Sequence, residues 1–135
     1  MFFFTTSSET PNEVGMSSVL LDKIENTYLN SFCFGYRFNF DKLNPYFARY
    51  YFRSLKFRKK IYKLAQGITR FNISKNEVMK LKFKLPPLKE QQKIAKVLST
   101  ADKEIELLKN ELKELKKQKK ALMQKLLTGK VRVKV

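Results

Sequence analysis

The fold of this chain is decided by residues 94–126, IAKVLSTADKEIELLKNELKELKKQKKALMQKL. Apolar side chains recur in this segment at alternating steps of four and three residues, the spacing that places one stripe of a helix against a neighbouring helix. One position of the stripe, Lys119, is charged, and a single polar residue there commonly fixes the register or the partner. The segment therefore predicts a coiled-coil helix. Its seam consists of Ile94, Leu98, Ala101, Ile105, Leu108, Leu112, Leu115, Lys119, Leu122 and Leu126.

The length of this helix bears on what it packs against. Residues 90–127 would span roughly 57 Å at about 1.5 Å per residue, and Gly129 is a suitable stop. A stripe of that length cannot be buried against the preceding residues alone, and the sequence contains one such helix. We therefore expect the helix to pair with another chain or with a second copy of this chain.

A break separates the helix from the residues before it, because Pro86 and Pro87 interrupt regular structure. We expect two domains, residues 1–85 and residues 86–135, the second being the helix with a short tail. The first domain combines short runs of β-branched and aromatic residues with helical patterns. The predicted fold class is α+β: a small sheet with short helices, followed by one long coiled-coil helix.

Local patterns within the first domain predict individual elements. We expect strands over residues 17–21, 27–34 and 80–85, the last because large apolar residues alternate strictly with lysine. Gly15 and Gly35 are expected to mark turns.

Residues 44–66 have a helical pattern, in which Phe47, Tyr51 and Leu55 share one face by their four-residue spacing. The Asn-Pro pair at the start is a favourable helix cap. The same Asn-Pro-Tyr-Phe stretch resembles the catalytic loop of amino-methyltransferases, but it lacks the second proline of that loop, and the helix cap explains it. Ser74-x-x-Glu77 is a capping box and predicts a further short helix.

Positive charge is concentrated in the middle of the chain. The sequence has 29 Lys and Arg against 12 Asp and Glu, a formal charge of +17, of which residues 36–84 contribute +12. Basic side chains neutralise phosphates and release counterions, whereas an ordinary solvated face mixes both signs. We therefore predict nucleic-acid binding and regard a bland basic surface as the alternative. The predicted contacts are Arg37, Arg49, Arg53, Arg58, Lys59, Lys60, Lys63 and Arg70.

Composition excludes several function classes. Without histidine there is no imidazole base, no Ser-His-Asp triad and no histidine-liganded metal. The single cysteine, Cys33, cannot form an internal disulfide or a cysteine-rich zinc site, and the glycines are too dispersed for a phosphate-binding loop. We expect no catalytic residue, no cofactor and no metal. The sequence shows neither a membrane span nor a signal peptide, so we expect a cytoplasmic location.

Two motifs flank the heptad helix and carry a resemblance to a known family. Residues 85–95, LPPLKEQQKIA, resemble the junction before the spacer helix of type I restriction–modification specificity (S) subunits. Residues 122–133, LMQKLLTGKVRV, are similar to the end of that helix in the same family. Residues 67–74, GITRFNIS, look like the stretch before the last strand of the family's target recognition domain.

The resemblance implies a non-catalytic recognition subunit. Its domain would read one half of a bipartite site in double-stranded DNA, and its helix would pair with a second copy or another specificity chain. The modification (methyltransferase) and restriction subunits would bind around it and perform the chemistry. The family's domain also extends upstream of the position of Phe2, which implies an incomplete domain with Phe2, Phe3 and Phe4 exposed. The alternative is a truncated module that pairs through its helix without reading DNA.

Overall fold

The computed structural model describes residues 1–22, 24–38 and 41–134. The chain divides into two compact units, a first unit of residues 1–96 and a second unit of residues 97–135. The predicted α+β class is confirmed. In chain order the elements are β1 (Phe2–Thr5), β2 (Ser7–Ser8), β3 (Ser17–Val19), β4 (Cys33–Tyr36), α1 (Pro45–Tyr51), α2 (Leu55–Tyr62), β5 (Phe71–Asn72), α3 (Lys75–Met79) and α4 (Leu88–Leu127).

The larger sheet of the first unit is antiparallel, with β1 between β3 and β4. Phe4 lies opposite Ser17 on one side and Phe34 on the other. Because successive side chains of a strand point to opposite faces, Phe2 and Phe4 both face the core, where they are 0% and 3% exposed. The expectation that these two side chains would be exposed is therefore wrong. A smaller sheet pairs β2 with β5.

Aromatic rings fill the core, and Phe52 lies at its centre. The Phe52 side chain is fully buried and stacks on Phe38 with ring centroids 5.3 Å apart. It also meets the rings of Phe57 at 4.8 Å and Phe2 at 5.6 Å. Offset and edge-to-face aromatic pairs of this kind stabilise a core beyond the burial of their area. The cluster holds β1, α1 and α2 together.

The break between α1 and α2 changes which residues are buried. The Asn44 side chain accepts hydrogen bonds from the backbone of Tyr46 and Phe47, at 2.9 and 3.1 Å, so the predicted cap of α1 is confirmed. The helix ends at Tyr51, and Ser54 caps α2 by accepting from the Phe57 amide. Because a new helix starts here, Leu55 leaves the predicted apolar face and is 80% exposed, contrary to expectation.

The segment after α2 differs from expectation in its backbone. Ser74 is the N-cap residue of α3, and the predicted short helix follows it, but the Ser74 side chain makes no capping hydrogen bond. Residues 80–85 form no strand, since no backbone ladder runs beside them among the residues the structure describes. Their burial nevertheless alternates as the sequence predicts: Leu81, Phe83 and Leu85 pack against the core while the lysines between them are exposed.

The two glycines expected at turns have different roles. Gly15 has φ +66°, and a methyl group added to it would overlap the side chains of Ile61 and Ile73. Glycine adopts this backbone conformation at little cost, so the turn is confirmed there. Gly35 lies within β4, and the prediction of a turn is wrong. The strand predicted over residues 27–34 is correct only for its last two residues, because β4 starts at Cys33.

The long helix α4 begins in the first unit and forms most of the second. Its first turns are anchored by Gln91 and Ala95, which are 1% and 5% exposed. The helix ends at Leu127, and Gly129 follows with φ +72°, the left-handed conformation that commonly terminates helices.

Candidate nucleic-acid interface

Four of the eight predicted nucleic-acid contacts converge on one groove beside α2. Its volume is about 670 Å³, and we call it the arginine groove. Met16, Leu55 and Tyr62 provide apolar walls, and neither aspartate nor glutamate is among the described residues that line it. The basic side chains that converge there are Arg53, Arg58, Lys59 and Lys63.

Arg58 is held by the loop that precedes β3. Its Nη2 atom donates hydrogen bonds to the carbonyl oxygens of Asn12 and Val14, at 2.6 and 2.8 Å. Its Nη1 atom is buried and has no hydrogen-bond partner among the described residues. Burial lowers the pKa of the guanidinium from its usual range, yet an arginine side chain stays charged in proteins. Arg58 therefore adds fixed positive charge to the groove and also orders the loop.

The other three cations of the arginine groove are more accessible. Arg53 lies between α1 and α2, where its Nε atom donates to the carbonyl oxygen of Ser17 at 3.0 Å. This bond orients the guanidinium and leaves the side chain exposed overall. Lys59 on the outer face of α2 and Lys63 at its C-terminal cap are both exposed. An anchored arginine pair beside two freer lysines can hold anions of variable position.

The remaining predicted contacts lie outside the arginine groove. Arg37 follows β4 and is exposed. The Arg49 guanidinium lies 4.8 Å from the ring centre of Tyr50, and that of Arg70 lies 5.7 Å from the ring centre of Phe32. Arg70 projects from the loop that connects Gln66 and Asn72, whose backbone groups pair with each other. Lys60 faces the opposite flank of α2.

That opposite flank holds a second basic groove, which sequence reasoning missed. It has a volume of about 400 Å³, and Tyr51 and Phe83 are its aromatic residues, with ring centres 5.6 Å apart. We call it the lysine groove, and its cations are Lys56, Lys60, Lys82 and Lys84.

One contact assembles the lysine groove. The Lys60 Nζ atom donates to the carbonyl oxygen of Lys82 at 2.5 Å and so ties residues 80–85 to α2. Burial raises the pKa of Tyr51 above its usual value, so its phenol stays protonated at neutral pH. The sequence offers two signals for Lys82 and Lys84, the strict alternation of residues 80–85 and the +12 charge of residues 36–84. Neither signal predicts that these lysines face Lys60 across a groove.

The predicted helix-pairing seam is largely exposed along the second unit. Leu108 is 57% exposed, Leu112 is 51% exposed and Leu122 is 55% exposed. Ile94 packs against the core of the first unit instead. A row of exposed leucines at heptad spacing is typical of a helix that pairs with another helix. The remaining seam positions, all exposed, are Leu98, Ala101, Ile105, Leu115, Lys119 and Leu126.

Over residues 1–22, 24–38 and 41–134, no group of three His, Cys, Asp or Glu side chains is placed to hold a metal ion. None of the helices in those ranges is long and apolar enough to cross a membrane.

Comparison with known proteins identifies the family. Residues 6–117 match the family model described as the type I restriction modification DNA specificity domain. The chain belongs to this family. The family resemblance that the two motifs beside the helix indicated is therefore confirmed. The match covers most of the first unit and the first part of the second.

Two relatives are specificity subunits of Methanocaldococcus jannaschii. The chain is 40% identical over 100 residues to the "Putative type I restriction enzyme MjaX specificity subunit". It is 36% identical over 97 residues to the type I restriction enzyme MjaVIII specificity subunit. The alignments cover 74% and 72% of this chain but 23% of each relative, so the chain spans about a quarter of their length. No solved structure matches it.

Proposed function

We propose that this chain is a DNA-recognition component of a type I restriction–modification system. Its recognition domain, residues 1–85, binds double-stranded DNA and reads one half of a bipartite site. Residues 86–135 form the helix that joins it to other chains. The observation that carries this proposal is the convergence of Arg53, Arg58, Lys59 and Lys63 on one groove without an acidic residue among its described lining residues.

The surrounding sequence strengthens the electrostatic argument. From Lys42 to Asn76, counting both ends, there are ten Lys and Arg residues and no Asp or Glu. Each phosphate that such a surface neutralises releases a condensed counterion, which supplies the sequence-independent part of DNA affinity. Membership of the specificity-domain family supports DNA as the nucleic acid. Because the proposed ligand is DNA, we also propose that the chain acts in the cytoplasm, where it would meet DNA.

In this proposal the chain recognises DNA and catalyses nothing itself. It contains no histidine and a single cysteine, and the basic residues of its two grooves suit phosphate binding. The chemistry is assigned to the modification and restriction subunits, which would assemble around the recognition chain. Its contribution is to hold the complex at a chosen sequence.

For the long helix we propose a second copy of this chain as the partner, in antiparallel orientation. Charge is segregated along the helix: residues 97–115 have five acids and three lysines, whereas residues 116–127 have five lysines and no acid. A parallel pair would place the two lysine-rich ends together. An antiparallel pair places the lysine-rich end of each helix beside the more acidic part of the other helix, an arrangement that Coulomb attraction favours.

The two unusual seam positions support the same orientation. Ala101 is the one small residue and Lys119 the one charged residue of the seam. When Leu108 faces the partner's Leu112, an antiparallel register also brings Ala101 opposite the partner's Lys119. The small side chain leaves space for the lysine stem, whose ammonium can reach water. A parallel register would instead stack Lys119 on the partner's Lys119.

The experiment that tests the function is selection from a pool of randomised duplexes. The full chain is mixed with its modification subunit at about 150 mM salt, because phosphate contacts depend strongly on salt. Enrichment of one sequence as an inverted pair is the expected result. No enrichment, with binding that only weakens as salt rises, would show a basic interaction module and would overturn the recognition role.

A further inference from the structure

The ridge between the arginine groove and the lysine groove has an unusual composition. It is formed by α2, which turns Phe57 and Ile61 into the core, where they are 2% and 0% exposed. At about 100° per residue, the opposite side of the helix presents Leu55, Lys59 and Tyr62. Leu55 and Tyr62 are 80% and 51% exposed, and all three side chains also form the α2 wall of the arginine groove. Two apolar side chains at the crest of a basic helix contribute little to the core.

The dimensions of this ridge match a groove of duplex DNA. An α-helix with its side chains is about 10–12 Å wide, and the major groove of B-DNA is about 12 Å wide. The eight residues of α2 extend about 12 Å at 1.5 Å per residue. A helix in the major groove has one phosphate backbone on each side, and α2 has a basic groove on each flank.

We propose that α2 enters the major groove of DNA, with the arginine groove receiving the phosphates of one strand and the lysine groove those of the other. This inference rests on the proposed DNA binding of the first unit and identifies the element that reads the bases. It also assigns a role to Lys56, Lys82 and Lys84, which lie on the lysine-groove side.

The crest residues have the chemistry of base readers. Lysine donates to the O6 and N7 acceptors of guanine in the major groove, and an apolar side chain contacts the methyl group of thymine. Lys59 and Leu55 lie about one helical turn apart on the same face and supply these two contacts. The Tyr62 hydroxyl adds a hydrogen-bond donor and acceptor. Arg58 is a positioning residue in this arrangement, because its Nη2 atom is committed to the loop carbonyls.

A duplex fits the two grooves better than an acidic peptide does. A single acidic segment needs one basic groove and gains nothing from a second groove beyond an exposed ridge. Two strands of phosphate, by contrast, require positive charge on both flanks of whatever lies between them. The two basic grooves on either side of α2 therefore favour the duplex.

The test separates base contacts from phosphate contacts by using three variants of the full chain. The crest variant carries Leu55→Ala and Lys59→Gln. The flank variant carries Lys82→Gln and Lys84→Gln. The control variant carries Lys75→Gln and Lys89→Gln, which removes two exposed lysines outside both grooves. All the substituted side chains are exposed, so each variant should fold, and thermal melting verifies this.

Affinity is measured against salt for the half-site that the unaltered chain selects and for a scrambled duplex. We expect the crest variant to lose about tenfold or more of its preference for the half-site, because it loses two base contacts. Lys59 also lines the arginine groove, so this variant should in addition lower the salt slope by up to about 1. We expect the flank variant to bind both duplexes more weakly and to lower the slope of log affinity against log salt by about 2, at roughly 0.9 per phosphate contact. The control variant should change neither quantity.

Three results would overturn the inference. An unchanged preference in the crest variant would show that α2 does not read bases. A flank variant with the same salt slope as the control would show that no strand follows the lysine groove. A flank variant that keeps its DNA affinity and loses the modification subunit would assign that groove to an acidic protein segment. If the unaltered chain selects no sequence at all, the proposed function itself fails, which is a separate outcome.

Discussion

The side-chain oxygen of Gln91 accepts a hydrogen bond from the backbone amide of Asn44 at 2.9 Å, although the two residues are 47 positions apart in the sequence. The Gln91 amide nitrogen donates to the carbonyl oxygens of Pro86 and Lys42, at 2.8 and 3.1 Å. All three bonds form around a side chain that is 1% exposed. Gln91 therefore fastens the first turns of α4 to the start of α1 within the first unit.

Gln91→Ala should lower the free energy of unfolding by about 3 kcal/mol, because the side chain's three part-buried hydrogen bonds are lost, at about 1 kcal/mol each. Gln92→Ala is the matched control, because the side chain of Gln92 is exposed. This substitution should change the free energy of unfolding by less than about 0.5 kcal/mol. Urea denaturation measures both. Equal midpoints for the two variants would contradict a structural role for Gln91.

The sequence predicted the long helix well because its signal is local. The apolar spacing, the glycine after its end and the charge along its length all lie within one continuous segment. The cap at Asn44 was predictable for the same reason, since it depends on residues two and three positions further along the chain.

The two grooves could not be predicted because they depend on contacts between distant segments. Lys60 and Lys82 are 22 positions apart, and their contact requires residues 80–85 to fold back onto α2. The exposure of Leu55 depends on a helix break at Ser54, whose hydroxyl donates to the Tyr51 carbonyl at 2.6 Å. The four-residue spacing continues across this break, so the sequence pattern placed Leu55 on the apolar face of Phe47 and Tyr51.

Arg58→Gln should destabilise the first unit by about 1–2 kcal/mol, because the two hydrogen bonds from Nη2 to Asn12 and Val14 are lost. Lys59→Gln removes a neighbouring charge that makes no such contact, and we expect it to shift stability by less than about 0.5 kcal/mol. Thermal unfolding followed by circular dichroism compares the two. Greater destabilisation by Lys59→Gln would show that the loop does not depend on Arg58.

Leu108→Glu combined with Leu112→Glu should abolish self-association, because carboxylates would replace the central leucines of the seam. Leu107→Glu is the control: Leu107 is 69% exposed and lies outside the heptad stripe. Light scattering should report twice 16.0 kDa for the unaltered chain and for the control. The double variant should scatter as a single chain. An unchanged mass in the double variant would exclude the seam as the contact between copies.

Cysteine pairing decides the orientation of the two helices. In a Cys33→Ser background, Ala101→Cys and Lys119→Cys are prepared as separate variants, each of which alters a single seam position. If the copies are antiparallel with Ala101 opposite the partner's Lys119, neither variant alone should form a disulfide-linked dimer, whereas an equimolar mixture should. The reason is geometric, since a disulfide requires Cα atoms within about 7 Å. In the antiparallel register each cysteine lies 18 positions from its own equivalent along the paired helices, about 27 Å at 1.5 Å per residue. Efficient cross-linking of either variant by itself, measured on non-reducing gels, would instead establish a parallel pair.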